Sequence, residues 1–178
     1  ARVEIPPMSV DRSGCNEPSP DDLEPSVELL LTGSALCNDA VLKAGSGPSC
    51  FQSVGDPTEG ALVIAAARYG LDKFALENRF PRKAELPFDS DRKRMTTIHT
   101  VPASSGGGPR WLERLHDGAS HVAFTKGAAD GLIGLSDRVW TSDGIVPLDA
   151  EMRGKILAAN EDMTRNGIRV LGLACRTM

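Results

Sequence analysis

The sequence predicts a single α+β domain in which a mostly antiparallel, twisted β-sheet is flanked by helices. Its 178 residues, 40% hydrophobic and 25% charged, are enough to bury one substantial core. The strand candidates are joined by short turns as well as by helices, which favours an antiparallel sheet over a doubly wound parallel one. We expect residues 1–178 to form one domain, with residues 1–25 serving as a connection and an irregular proline-rich segment.

The helix candidates rest on capping residues and on apolar spacing. The segment 26–37 begins with Ser26, which can cap a helix, and carries a partly apolar face. Residues 56–59, Asp-Pro-Thr-Glu, give a stronger start, because Asp caps, Pro takes the first helical position and Glu follows the cap by three residues. This second helix should end near Tyr69, before a glycine. Further helices are expected after Gly127 and from about Asp149 to Asn166.

The strand candidates lie in the middle and at the end of the chain. Residues 84–88 alternate apolar and polar side chains, and residues 95–101 are rich in Thr and Ile, so these two segments should pair across the charged connection between them. A small hairpin is expected around a turn at 45–48, and a further turn at 141–144. Two more strands are predicted, His121–Thr125 and Ile168–Cys175.

The charge balance and the apolar runs argue against two kinds of partner. The 20 Lys and Arg residues are outnumbered by 24 Asp and Glu residues, giving a net charge of -4 without a dense basic block, so a nucleic-acid partner is not expected. The longest apolar run, residues 62–67, is far shorter than the roughly 18 to 20 residues of a membrane-spanning helix, so we expect no direct membrane contact. The N-terminus has neither Met nor a signal core, as expected of a segment excised from a longer chain.

No familiar catalytic or metal-binding motif occurs in the sequence. The glycine-rich stretch 106–108 is followed by Pro-Arg rather than by the Lys-Ser or Lys-Thr pair of a Walker loop. The histidines lack metal-ligand spacing with the cysteines. Because the four cysteines are scattered, we expect reduced thiols, with Cys37 and Cys175 packed in the interior. The sequence therefore assigns no catalytic residue and no metal ligand to this chain.

Three basic residues lie at or near the ends of predicted strands. Lys126 has the same strand parity as the apolar residues two and four positions before it, so it should project from the apolar face. It precedes residues 127–128, where a glycine lets the backbone approach a ligand closely. Arg169 has the parity of the apolar residues that follow it, and Lys93 lies in the connection between two strands. Recessed cations suit an anionic ligand, whereas the alternative for each residue is an ordinary surface charge.

Phe88 and Glu59 each allow two interpretations. Phe88 is followed closely by cations, and an aromatic ring beside cations can stack on a planar base while the cations hold phosphates. The alternative is a core phenylalanine at a strand end. Glu59 could contact a ligand, but its place in a capping box at the helix start would also explain it.

Four segments carry a resemblance to a known family. They are Gly55–Glu59, Pro87–Met95, Lys126–Ala128 and Gly167–Leu171, and in order and spacing they resemble the nucleotide-binding domain of P-type cation-transporting ATPases. A fifth segment, Ala35–Asp39, resembles the branch of calcium, sodium-potassium and magnesium pumps rather than the heavy-metal branch. The resemblance extends from about residue 36 to the C-terminus, and it implies the nucleotide-binding-domain fold.

The resemblance implies an adenine pocket built from five positions. Phe88 would stack on the adenine ring, and Glu59 would contact the edge of the base. Lys126 would line the deep end of the pocket, with Gly127 and Ala128 forming its floor.

The resemblance also implies contacts with the phosphates. Lys93 would lie near the phosphates or the base, and Arg169 would reach towards the phosphates. Ser90 departs from relatives that carry Arg two residues after the stacking Phe. One phosphate contact is therefore in question, and Arg92 or Arg94 could supply it.

The implied function is that of one half of an active site. The domain would bind ATP, with Mg²⁺ in the parent pump, and present the γ-phosphate to an aspartate on a separate phosphorylation domain of the same chain. Phosphorylation and actuator domains would be its partners, and it would be a cytoplasmic part of an integral protein of the cell membrane. The family's DKTGT stretch is absent from the sequence, so the fragment is expected to bind ATP without turnover.

Two other classes of function compete with this interpretation. The first is a non-catalytic interaction domain that keeps the fold without binding nucleotide. The second is a self-sufficient kinase or hydrolase, which the absence of a nucleophile motif and of a Walker loop disfavours.

Overall fold

A computed structural model describes residues 19–44, 51–102, 109–115 and 118–178, without the side chains of residues 44 and 51. Within these ranges, no helix combines the length and the apolar character that crossing a bilayer requires. The glycine-rich stretch 106–108 and two of the four cysteines, Cys15 and Cys50, lie outside the described residues, as does most of the proline-rich segment.

The described chain contains six α-helices, one short 3₁₀ helix and eight strands. The 3₁₀ helix is Pro20–Asp22, and the α-helices are α1 (Pro25–Leu36), α2 (Pro57–Ala67), α3 (Lys73–Arg79), α4 (Arg110–Leu115), α5 (Ala129–Leu135) and α6 (Ala150–Arg165). The strands are β1 (Val41–Ala44), β2 (Phe51–Val54), β3 (Arg82–Asp89), β4 (Arg94–Thr100), β5 (His121–Gly127), β6 (Arg138–Thr141), β7 (Gly144–Pro147) and β8 (Gly172–Thr177).

The central feature is a four-stranded sheet in the order β3-β4-β5-β8, in which every neighbouring pair is antiparallel. Two hairpins, β1–β2 and β6–β7, form separate two-stranded sheets. Strands β3 and β4 pair across the charged connection, as their alternation predicts. The α+β fold with a mostly antiparallel sheet is therefore confirmed.

The core lies between one face of this sheet and helices α1 to α4. Alternate residues of β4 and β5 are buried on that face, including Met95, Val122 and Phe124. Phe124 packs edge-on against Trp111 of α4 with ring centroids 5.9 Å apart, and Trp111 lies 5.7 Å from Phe80. These large rings remove much of the apolar surface of the domain from water, which is the main favourable contribution to folding.

Helix α1 lies close against the sheet because it carries a glycine at the contact. A Cβ atom at Gly33 would be 2.6 Å from Leu173 Cδ2 and 2.8 Å from Phe124 Cδ1. A side chain at this position would therefore require Leu173 and Phe124 to shift within the packed core.

A histidine within this core is hydrogen-bonded on both ring nitrogens. His99 Nδ1 lies 2.8 Å from the Phe80 carbonyl and Nε2 lies 2.9 Å from Thr97 Oγ1. Because a carbonyl only accepts, Nδ1 carries the proton and Nε2 accepts from the hydroxyl. Burial lowers the pKa of His99, against the opposing effect of the Phe80 carbonyl. The ring is therefore a neutral part of the core at pH 7.

The predicted cysteine environments agree with the structure. Cys37 is fully buried, and Cys175 packs against the core. Burial raises the pKa of the Cys175 thiol to about 11, so it is not poised to react as a thiolate.

Some sequence predictions were wrong in detail. Ser26 does not cap α1: the helix begins at Pro25, and its N-cap is Glu24, whose side chain makes no capping hydrogen bond. The last strand begins at Gly172 rather than Ile168, so the parity argument for Arg169 was wrong. Helices α3 and α4 were not predicted, because each is shorter than two full turns and shows little periodicity.

Candidate functional site

The candidate site forms where β5, the β3–β4 turn and the start of α2 meet. Asp56 caps α2, with its Oδ1 accepting from the backbone N–H of Thr58 at 2.8 Å and of Glu59 at 3.2 Å. The pKa of Asp56 is lowered from its usual value, mainly by the hydrogen bond from the Glu59 N–H, and the positive charge of Arg169 also lowers it. The cap fixes the first turn of α2 and with it the backbone of Glu59.

Lys126 lies on the buried face of β5, as its strand parity predicts. Lys126 is 7% exposed, and its direct cross-strand neighbours are Met95 on β4 and Leu173 on β8. Its Nζ lies 2.7 Å from Oε1 of Glu59. A buried ammonium needs such a partner, because moving an unpaired charge out of water costs about 5 kcal/mol.

The Glu59 carboxylate is held on both oxygens. Besides the ion pair of Oε1, Oε2 accepts a hydrogen bond of 3.0 Å from the backbone N–H of Asp39. The capping box predicted at this helix start is only half formed: Asp56 accepts from the Glu59 N–H, but the Glu59 side chain does not accept from the Asp56 N–H and pairs with Lys126 instead. Each oxygen keeps a second lone pair, and the side chain remains 19% exposed, so it can still accept from a ligand.

The β3–β4 turn docks on the end of β5 through its backbone. Lys93 adopts a φ of 51°, and its carbonyl accepts from the N–H of Ala128 at 3.0 Å. A Cβ atom at Gly127 would lie 2.4 Å from that carbonyl oxygen, so only glycine fits there. Glycine at this position thus lets the turn bring Lys93 beside residues 127–128.

Phe88 lies in the same hairpin and is exposed. It is 65% accessible and falls in an irregularity of the β3–β4 register between Leu86 and Asp89. The interpretation of Phe88 as a core residue was therefore wrong. A solvent-facing phenylalanine beside a turn rich in cations has the apolar face that a planar base could cover.

The remaining basic residues are partly engaged within the chain. Arg169 donates from Nη1 to Thr58 Oγ1 at 3.1 Å, which brings it to the start of α2 although it lies ahead of β8. Arg92 donates to the carbonyl of Pro87 at 3.1 Å, and Arg94 donates to that of Arg92 at 3.2 Å. Both arginines therefore stabilise the turn itself.

The contacts link most of the predicted site residues. Six of them are connected by the ion pair, the docked turn and the Arg169–Thr58 bond: Glu59, Lys93, Lys126, Gly127, Ala128 and Arg169. The seventh, Phe88, belongs to the same hairpin as Lys93. A cavity of about 280 Å³ lies elsewhere, between α1, α3 and α4, and none of these residues lines it. The candidate site therefore combines two exposed side chains, Phe88 and Lys93, with the recessed Lys126–Glu59 ion pair.

Sequence reasoning missed the residues that support Glu59. Asp39 belongs to the segment that resembles one pump branch, but no contact was inferred for its backbone. Lys73 and Arg82, which bind that same segment, look like ordinary surface cations in the sequence. Only the tertiary contacts distinguish them.

Comparison with known proteins agrees with this architecture. Residues 26–178 match the family model described as P-type ATPase, cytoplasmic domain N. The chain therefore belongs to the cytoplasmic N-domain family of P-type cation ATPases, as the motifs predicted.

Individual relatives carry consistent names. The chain is 34% identical over 159 residues to the cation-transporting ATPase pma1 of Synechocystis, and the aligned region covers 89% of this chain and 15% of that protein. It is 36% identical over 146 residues to calcium-transporting ATPase 1 of Bacillus cereus, covering 82% and 14%. It is 29% identical over 150 residues to calcium-transporting ATPase type 2C member 1 of Bos taurus, covering 84% and 14%. The chain thus spans about one seventh of the length of these relatives.

Proposed function

We propose that residues 1–178 form a nucleotide-binding domain of a larger membrane pump, which binds ATP and presents its γ-phosphate to an aspartate on a separate phosphorylation domain of that chain. The phosphorylation would drive cation transport across the cell membrane, with the actuator domain as a further partner. The observation that carries the proposal is the recessed Lys126–Glu59 pair beside the docked turn that bears Lys93 and follows Phe88. Membership of the family supports the same function.

The base would be held by an aromatic face and a polar edge. Phe88 offers an exposed ring for stacking, which contributes roughly 1 to 3 kcal/mol per base in other proteins. Glu59 accepts hydrogen bonds only, and the 6-amino group of adenine donates them. Lys126, Gly127 and Ala128 would form the deep end and the floor of the pocket.

The phosphates would be held by cations at the rim. Lys93 is exposed in the turn, and Arg169 is exposed beside the start of α2. Among the described residues, no group of three or more His, Cys, Asp and Glu side chains could hold a metal ion. We therefore expect Mg²⁺ to arrive on the nucleotide phosphates rather than at a site made by this chain.

The isolated chain should bind ATP weakly and without turnover. With the phosphates free of the phosphorylation domain, we expect a dissociation constant on the order of 0.1 to 1 mM, or about -5.5 to -4 kcal/mol. Hydrolysis of ATP by the pure chain would instead favour a self-sufficient enzyme.

An ATP titration followed by backbone amide NMR tests the proposal. We expect saturable shifts near residues 59, 88, 93 and 126, and between about fivefold and 100-fold weaker binding by Phe88→Ala. Phe74→Ala is the matched control, since Phe74 on α3 is also exposed, at 72%, and is not among the proposed site residues. The absence of shifts at about 10 mM ATP would contradict the proposal and favour an interaction domain, for which the exposed Leu86 and Phe88 would be the natural contacts.

A further inference from the structure

The segment Asn38–Ala40, which lies between α1 and β1, donates two hydrogen bonds to Glu59. Asp39 N–H donates to Glu59 Oε2 at 3.0 Å, and Asn38 Nδ2 donates to the Glu59 carbonyl at 3.0 Å. Within the segment, Asn38 Oδ1 accepts from Ala40 N–H at 2.8 Å. The position of the Glu59 carboxylate therefore depends on where this segment is held.

Lys73 holds the segment from α3. Its Nζ donates to the carbonyls of Asn38 and Ala40, each at 2.7 Å, although the residue is only 8% exposed. Burial lowers the pKa of Lys73, and the carboxylate of Glu77 at 3.6 Å opposes this effect. An ammonium this deep is tolerated because its donors are satisfied, so these two bonds constrain the segment.

Arg82 holds the same segment from β3. Its Nη2 donates to the carbonyls of Asn38 at 2.8 Å and Leu36 at 3.1 Å. Its Nη1 donates to Asp39 Oδ1 at 2.8 Å and to Glu85 Oε2 at 2.8 Å. The Asn38 carbonyl thus receives two cationic donors, one from a helix and one from the sheet edge.

We propose that Lys73 and Arg82 are positioning residues for base recognition, which fix the Asp39 amide and through it the Glu59 carboxylate. This inference rests on the proposed function, since it assigns the supporting residues of the same site. Neither residue needs to contact the nucleotide. Their effect on the ligand passes through one backbone N–H and one carboxylate oxygen.

The inference predicts selectivity for the 6-amino group of the base. ATP carries this donor, whereas ITP carries an accepting oxygen at the same place and a donating N1–H beside it. A carboxylate fixed on both oxygens favours ATP, because it cannot move to meet the N1–H of ITP. A carboxylate freed on the Oε2 side loses that preference.

The test compares ATP and ITP binding by Lys73→Met and Arg82→Gln with the unmodified chain. We expect each variant to bind ATP about three- to tenfold more weakly, the loss of about one hydrogen bond, while ITP binding changes less than about twofold. The amide resonance of Asp39 should shift in both variants without nucleotide. Arg82→Gln keeps the test decisive if the buried Lys73→Met fails to fold, since Arg82 lies nearer the surface.

Lys155→Met is the matched control, because it removes one Lys charge from an exposed pair with Glu151 on α6. It should change neither nucleotide's affinity nor the Asp39 resonance. Equal weakening of ATP and ITP, or a shifted Asp39 resonance with unchanged selectivity, would overturn the positioning role. If the unmodified chain binds neither nucleotide, the proposed function itself fails, and that outcome is distinct because it appears before any substitution is made.

Discussion

Lys126 of β5 and Glu59 of α2 form an ion pair of 2.7 Å that joins the central sheet to the first turn of a helix 67 positions earlier in the chain. The pair is nearly closed to solvent on the lysine side and partly open on the glutamate side. It is therefore both a structural contact and the part of the candidate site that a ligand could reach.

The contributions of Lys126 and Glu59 to the free energy of unfolding should be coupled. Lys126→Met leaves the Glu59 carboxylate without its cation, and we expect a loss of about 2 kcal/mol in the free energy of unfolding. This value lies below that of a fully buried pair because Glu59 is partly exposed. The Glu59→Gln and double variants, measured by urea unfolding, should give a coupling of about 1 to 3 kcal/mol. Additive losses would show that the two side chains act independently.

Gly127 should tolerate no side chain. In Gly127→Ala the new Cβ would meet the Lys93 carbonyl at 2.4 Å, so the β3–β4 turn would have to move and the stability should fall by about 2 kcal/mol or more. Gly131→Ala on α5 is the control, because nothing lies within 4 Å of its Cβ and alanine favours a helix by about 0.5 to 1 kcal/mol. Similar stabilities for the two variants would argue against the docked turn.

His99 should make stability depend on pH. Because its pKa is lower in the folded than in the unfolded chain, the unfolded state binds the proton first as pH falls. Stability should be complete above about pH 6.5 and decrease below it, by at most about 1.4 kcal/mol per pH unit, until the lower folded pKa is passed. Comparing urea unfolding of the chain and of His99→Gln from pH 7.5 to 5 isolates this contribution. An unchanged slope in the variant would assign the pH dependence to other groups.

Arg169 should contribute to the binding of the ATP phosphates and not to the binding of the base. Arg169→Gln is expected to weaken ATP binding about three- to tenfold, as one charged contact is lost, while adenosine binding stays unchanged. Arg165→Gln provides the control, since Arg165 is an exposed arginine of α6 paired with Glu161. If adenosine and ATP are weakened equally by Arg169→Gln, the residue acts through its bond to Thr58 on the shape of the pocket.

Much of the fold followed from local signals. The Asp-Pro-Thr-Glu start of α2 was predicted because a capping side chain and a proline at the first helical position act within a few residues. The burial of Lys126 was predicted because side chains alternate along a strand, and the two apolar residues of the same parity identify the buried face. Such short-range rules need no knowledge of the partner element.

The sequence by itself therefore determined the α+β class, most of the elements and the family, and it proposed the candidate site residues, through motifs whose order and spacing are visible in one dimension. The tertiary structure decided what those residues contact. In the folded chain the Glu59 side chain pairs with Lys126, and Phe88 lies in solvent rather than in the core. Lys73 and Arg82 donate hydrogen bonds to the segment Asn38–Ala40. The physical reason is that a carboxylate or an ammonium is satisfied by whichever group folding brings within about 3 Å, and that group can come from any part of the chain.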